Sequence, residues 1–111
     1  MAYLVINKQV YSLDKKEHTI GRHSSNSVQI NDVIASRFHA ALIQADNGYL
    51  IVDRGSLHGT YVDGKRIQSQ ALKGNEEIRI GHIVFYFRPG VPQHMTTAFG
   101  TISGALYETN Q

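Results

Sequence analysis

Apolar residues along this chain come in short segments, alternating with polar ones at every second position or forming compact runs, each closed by turn chemistry. The pattern predicts strands over 2–6, 10–13, 19–21, 28–30, 39–44, 49–53, 60–62, 66–67, 77–80 and 83–88. No ten-residue stretch keeps a helical period. Short strands at this spacing predict an all-β fold, a sandwich of two packed antiparallel sheets. Its core is expected to draw on Leu4, Ile6, Ile20, Ile30, Phe38, Leu42, Leu50, Val52, Val62, Ile78, Ile80, Phe85 and Phe87.

Turn chemistry sharpens the connections. Asp46-Asn47-Gly48 and Asp63-Gly64 supply residues tolerant of positive φ between strand-like segments, so each predicts a hairpin. The alternation changes parity across Gly81-His82, which places a turn or bulge there. After Arg88 the character changes: Pro89-Gly90-Val91-Pro92 interrupts strand pairing, and the remainder is rich in Thr, Gly and Ser with one charged residue, Glu108. Residues 1–88 are therefore read as one domain and 89–111 as a flexible tail or linker.

Composition narrows the function classes. The 111 residues suffice for one domain with its own core, and no cysteine is present, which excludes disulfides, a thiolate metal site and a cysteine nucleophile. The apolar run at the N-terminus is too short, and lacks a basic lead, for a secretory signal; no segment approaches a membrane span. A soluble, cytoplasmic protein that does not engage membranes is expected. Eleven Lys and Arg face nine Asp and Glu, and the cations are scattered. That balance argues against a nucleic-acid surface, where clustered cations supply most of the affinity.

Three donor-rich segments lie between the predicted strands: Gly21-Arg22-His23-Ser24-Ser25-Asn26, Ser36-Arg37-Phe38-His39 and Gly55-Ser56-Leu57-His58-Gly59-Thr60. Alternate loops of a sandwich gather at one end, so the three are expected to converge. Together they offer the guanidinium groups of Arg22 and Arg37, the hydroxyls of Ser24 and Ser36, and backbone N–H groups made accessible by glycine. That inventory suits a tetrahedral dianion. Ser36 and His39 lack a third partner and a nucleophile elbow, and the six histidines have no ligand spacing, so neither catalysis nor a metal site is expected. No cofactor is implied.

In order and spacing these segments resemble the forkhead-associated domain, a phosphothreonine-binding β-sandwich. The family pattern of Gly-Arg, then Ser-x-x-His, then Ser-x-Asn-Gly-Thr-x-x-Asn-Gly is met by Gly21-Arg22, by Ser36 and His39, and by residues 56–64. The resemblance covers roughly residues 3–88. It implies that Arg22 and Ser36 contact phosphate, with Arg37 and Ser24 beside them. Leu57 and His58 would meet the peptide, and Gly21, His39, Gly59 and Thr60 would support the loops.

The chain departs from the pattern at Leu57, His58 and Asp63, where His58 and Asp63 stand in place of asparagines. A neutral imidazole carries its one donor and one acceptor on separate ring nitrogens that point apart, whereas an amide presents both side by side, so peptide preference is the property most affected. The implied partner is a phosphothreonine-containing protein, with the chain's own tail threonines Thr96, Thr97 and Thr101 as a tethered alternative. The competing reading is a phosphate-independent scaffold or oligomerisation module of the same fold.

Overall fold

The computed structural model describes residues 2–46 and 48–90. The turn residue Asn47 and the tail from Val91 onward, with Thr96, Thr97 and Thr101, lie outside the described residues. Eleven strands are present among them: β1 (Ala2–Ile6), β2 (Gln9–Leu13), β3 (Glu17–Gly21), β4 (Val28–Gln29), β5 (Ala40–Ala45), β6 (Gly48–Asp53), β7 (Thr60–Val62), β8 (Lys65–Ile67), β9 (Ser69–Leu72), β10 (Glu77–Ile80) and β11 (Ile83–Pro89). They form a six-stranded sheet, β2-β1-β11-β10-β7-β8, and a five-stranded sheet, β4-β3-β5-β6-β9. The all-β sandwich is thus observed.

The turn residues act as their chemistry requires. Asp63 and Gly64 take φ of 49° and 84° in the two-residue turn that joins β7 to β8. Gly81, at φ 62°, and His82 turn β10 into β11 with Ile80 directly opposite Ile83. The parity change is therefore a hairpin turn.

Three expectations are corrected. The sheets are not wholly antiparallel, because β4 runs alongside β3 in the same direction, Ile20 opposite Val28. The intervening loop returns the chain, and Thr19 and Ser27 close it by exchanging two hydrogen bonds of 3.0 and 3.3 Å between side chain and backbone. β9 was not expected at all: only Ala71 and Leu72 of its four residues are apolar, and it is an edge strand paired with β6 alone. Pro89, read as a strand breaker, closes β11 opposite Ala2, a terminal position where the missing N–H is tolerated.

The core contains Leu4, Ile6, Ile20, Ile30, Leu42, Val62, Ile78, Ile80, Phe85 and Phe87 as expected. Leu50 and Val52 are only half-buried, because β6 presents Tyr49 and Ile51 inward instead. The Tyr49 hydroxyl sets this parity by reaching the carbonyls of Leu13 and Lys15 at 3.1 and 2.9 Å, so a polar tip is satisfied inside the sandwich. Phe38 is also outside the core, 54% exposed, and stacks on His23 with ring centroids 5.3 Å apart.

The registers define two poles. Gly21, Ala40, Asp53, Thr60 and Ile80 all end or begin strands at one pole, where the segments 22–27, 30–39 and 54–59 meet. Ala2 and Pro89 pair at the other.

The inward parity of β6 generates a direct test. Ile51→Ala is expected to cost about 2–5 kcal/mol, the range for emptying a buried aliphatic position, and Leu50→Ala about 1 kcal/mol, since part of its surface stays in water. Chemical denaturation of the two variants measures both; the reverse order would invalidate the assigned face.

Candidate functional site

The loop pole is organised by a buried imidazole. His39 is fully excluded from solvent, its Nδ1 accepts the Ser36 N–H at 3.0 Å, and its Nε2 lies 2.9 Å from the Gly59 carbonyl. Since a backbone N–H donates to Nδ1, the proton resides on Nε2 and is donated to Gly59. One ring therefore joins the loop before β5 to the loop before β7.

Ser36 is tied on every side. Its carbonyl accepts the Arg22 N–H at 3.0 Å, its N–H is held by His39, and its Oγ accepts the Leu57 N–H at 3.2 Å. The hydroxyl proton is given to no protein acceptor among the described residues, and it belongs to a residue whose backbone is held at both its N–H and its carbonyl. Arg22 is fixed as firmly: its Nε donates to the Ala35 carbonyl at 3.0 Å while the residue stays exposed. With Nε engaged on the protein, the terminal N–H groups are the ones available to a ligand.

The loop carrying Arg22 needs close approach beneath it. Gly21 is buried, and a Cβ there would stand 2.1 Å from the Arg37 carbonyl oxygen, closer than atoms can approach, so only glycine fits. Asn26 adds a polar pin: its Nδ2 donates to the carbonyls of His23 at 2.8 Å and Arg37 at 2.7 Å, and the residue is only 7% exposed. Its Oδ1 is buried without a protein partner. Asn26 thus clasps two of the three loops. Arg37 is exposed, with its carbonyl taken by Asn26 and by the His23 N–H at 3.2 Å. Ser24 is exposed on the same loop.

The third loop hangs on Asp53, which sequence reasoning missed. Oδ1 accepts the hydroxyls of Ser56 at 2.5 Å and Thr60 at 2.7 Å, while Oδ2 accepts the N–H groups of Ser56 at 3.0 Å and Gly55 at 3.1 Å. Burial pushes this carboxyl upward, but donation from Ser56 and Thr60 outweighs it and holds Asp53 below the usual carboxylate range. The only advance signal was an Asp three residues before a Ser with Gly between, the signature of a side-chain-capped turn. Gly55 and Gly59 take φ of 73° and 92° in this loop. Leu57 and His58 stand on its crest, Leu57 77% exposed, while Thr60 is fully buried beneath.

A second carboxylate steadies the approach to Ser36. Asp32 accepts the Ile34 N–H through Oδ1, and both the His82 N–H and the His82 Nδ1 lie against Oδ2, each contact at 3.0 Å. The Ile34 N–H lowers the Asp32 pKa most, against an opposing effect of burial, and His82 adds to the lowering. The loop is thereby fastened to the β10–β11 turn.

The arrangement brings Arg22, Ser36, Leu57 and the supports Gly21, His39, Gly59 and Thr60 into one connected framework. Arg37, His58 and Ser24 are exposed on its rim. Among the described residues no group of three or more His, Asp or Glu side chains is placed to hold a metal ion.

Asp53→Asn tests the buttress. Its folded-state pKa is lowered, so its contribution is complete above the unfolded value near 4 and fades as pH falls through the lower folded value. The variant should be less stable than wild type by about 1–3 kcal/mol at pH 7, as for hydrogen bonds to a charged group. Thermal unfolding across pH should show that gap narrowing below about pH 4. A pH-independent gap would remove the ionised carboxylate from the account.

A family model for the FHA domain matches residues 18–81, spanning all three loops. The chain is 36% identical over 80 residues to an oxoglutarate dehydrogenase inhibitor of Corynebacterium diphtheriae, covering 72% of this chain and 56% of the relative. It is 35% identical over 83 residues to the glycogen accumulation regulator GarA of Mycobacterium tuberculosis, covering 75% of this chain and 51% of that protein. The matched part thus spans about half the length of these relatives. Among solved structures, Mycobacterium tuberculosis EmbR in complex with a low-affinity phosphopeptide superposes with a TM-score of 0.75 at 30% identity, over 78% of this chain and 24% of EmbR. By family model, sequence identity and fold together, the chain belongs to the FHA domain family.

Proposed function

We propose that this chain is a non-catalytic recognition module that docks a phosphothreonine-containing segment of a partner protein at its loop pole. The observation that carries the reading is the double tether of Arg22 to the Ser36 loop, N–H to the Ser36 carbonyl and Nε to the Ala35 carbonyl, each 3.0 Å. It holds the guanidinium against the loop that carries the Ser36 hydroxyl before any ligand arrives. Membership of the FHA family and the phosphopeptide seen on EmbR support it.

In this reading Arg22 and Ser36 hold phosphate oxygens, Arg37 and Ser24 flank them, and Leu57 and His58 meet the peptide. Gly21, His39, Gly59 and Thr60 keep the loops in place. A phosphothreonine brings about −1.5 to −2 charges near neutral pH where threonine brings none, so the site discriminates by charge as well as shape. The partner is a separate phosphorylated protein, with the threonines Thr96, Thr97 and Thr101 of the 89–111 tail as a tethered alternative ligand. Among the described residues no helix is long and apolar enough to cross a membrane, which accords with a cytoplasmic regulator.

Calorimetric titration with phosphothreonine peptides tests the assignment. Arg22→Ala should cost about 2–5 kcal/mol of binding and Ser36→Ala about 1.5–3 kcal/mol, the ranges for losing an ion-paired donor and a hydrogen bond to a charged group. Wild-type affinity in the Arg22 variant would sink it.

Matched phosphoserine peptides should bind roughly fourfold more weakly, because one buried methyl contributes about 0.8 kcal/mol. Equal binding would count against a threonine pocket.

A further inference from the structure

Beyond the loop pole, the outer face of the six-stranded sheet carries a row of arginine and tyrosine. Thr60 and Val62 are buried, so Tyr61 between them points outward, and its cross-strand partners Arg66 on β8 and Arg79 on β10 share that face. The Arg79 guanidinium lies over the Tyr61 ring, 4.2 Å from its centroid. Arg66 reaches toward the loop pole and packs on the Gly59 backbone, where a Cβ would stand 2.6 Å from its Nε. A second stack, Arg88 over Tyr86 at 5.2 Å, continues the pattern across β11.

Two properties make this row more than a solvated surface. The ion pairs among the described residues join His18 to Asp14, Arg54 to Glu17 and His82 to Asp32, which leaves the charges of Arg66 and Arg79 without a carboxylate partner. Glu77 is the acidic residue on the same face, two positions from Arg79 along β10 and across from Tyr86, and it forms no ion pair with Arg79, whose guanidinium is turned onto Tyr61. Stacking also holds the Arg79 guanidinium flat on an aromatic ring, so little side-chain freedom remains to be lost on contact. Tyrosine and arginine are the residue types enriched where proteins meet.

Continuity selects the occupant. Gly59 accepts the His39 proton on one side and carries the Arg66 side chain on the other, so the row begins where the proposed peptide site ends. We infer that Arg66, Tyr61 and Arg79 form a second docking surface for an acidic segment of the same phosphorylated partner. This inference rests on the phosphothreonine reading above, and adds to it a phosphate-independent contact on a sheet face.

The experiment uses the full chain and pooled phosphothreonine peptides extended, before or after the phosphothreonine, by a block of either glutamates or alternating serine and glycine. Wild type should bind the glutamate-extended form roughly 5- to 10-fold more tightly in one of the two placements, since each exposed ion pair contributes up to about fivefold. The gain should shrink as salt rises from about 0.05 to 0.3 M. The double variant Arg66→Gln/Arg79→Gln should lose the gain while keeping wild-type affinity for the serine-glycine form. Arg66→Gln alone, which leaves the Arg79–Tyr61 stack intact, should lose part of it.

A glutamate gain absent in both placements, or undiminished in the double variant, would overturn the inference. Arg22→Ala separates the two levels. Retained phosphopeptide binding in that variant would refute the phosphothreonine reading, whereas lost binding there with no glutamate gain in wild type would refute the sheet-face contact alone.

Discussion

One buried imidazole holds the recognition end of this domain together. Loops that project from a sandwich have no ladder to fix them, and their polar backbone groups must find partners wherever water is excluded. His39 supplies two at once, accepting a hydrogen bond from the Ser36 N–H and donating one to the Gly59 carbonyl. Without it the side-chain link between these two loops, among the described residues, would be the single 3.2 Å hydrogen bond from the Leu57 N–H to Ser36 Oγ. The buried Gly59 carbonyl and the partly buried Ser36 N–H would both be left without their partner.

Around that bridge the polar framework is graded from rigid to open. Asp53 gathers four donors beneath the third loop, Asn26 clasps the first loop to the second, and Asp32 fastens the second to the β10–β11 turn. Each anchors backbone, and each leaves a different side chain pointing outward. Charge-assisted hydrogen bonds inside the framework are stronger than neutral ones, so the two carboxylates stiffen loops that carry no apolar core of their own. The outward groups are positive or neutral, and the inward carboxylates are already committed to their donors. An arriving anion thus meets donors whose positions are set and acids whose charge is largely compensated.

Much of this was legible in the residues, for identifiable reasons. Strand positions followed from two-residue periodicity and from Asp, Asn and Gly at turns, and convergence of the loops follows from sandwich topology. The pattern misled where one face of a strand is as apolar as the other: β6 reads Tyr-Leu-Ile-Val, and only the hydroxyl contacts of Tyr49 decide which pair turns inward. Phe38 misled because large aromatic residues are usually core, whereas here His23 provides a partner at the surface. The β9 edge strand carries almost no periodic signal, and periodicity locates β3 and β4 without saying that they run parallel. At the site, the resemblance named outward residues and the supports Gly21, His39, Gly59 and Thr60, but Asp53, Asn26 and Asp32 also act by holding backbone, and such roles emerge only once the loops are seen against each other.

The placement of the two poles bears on how the domain works inside longer polypeptides. Ala2 and Pro89 lie side by side at the end remote from Arg22 and Ser36, so the two ends of the sandwich and its loop pole are on opposite sides of the core. Entry and exit at adjacent points also make the fold insertable: it can be spliced into a chain with little separation between its flanks. An insertion at those paired ends would join the end of the sheet opposite the loops, so the hydrogen bonds that fix Arg22 and Ser36 are not among the contacts it would alter.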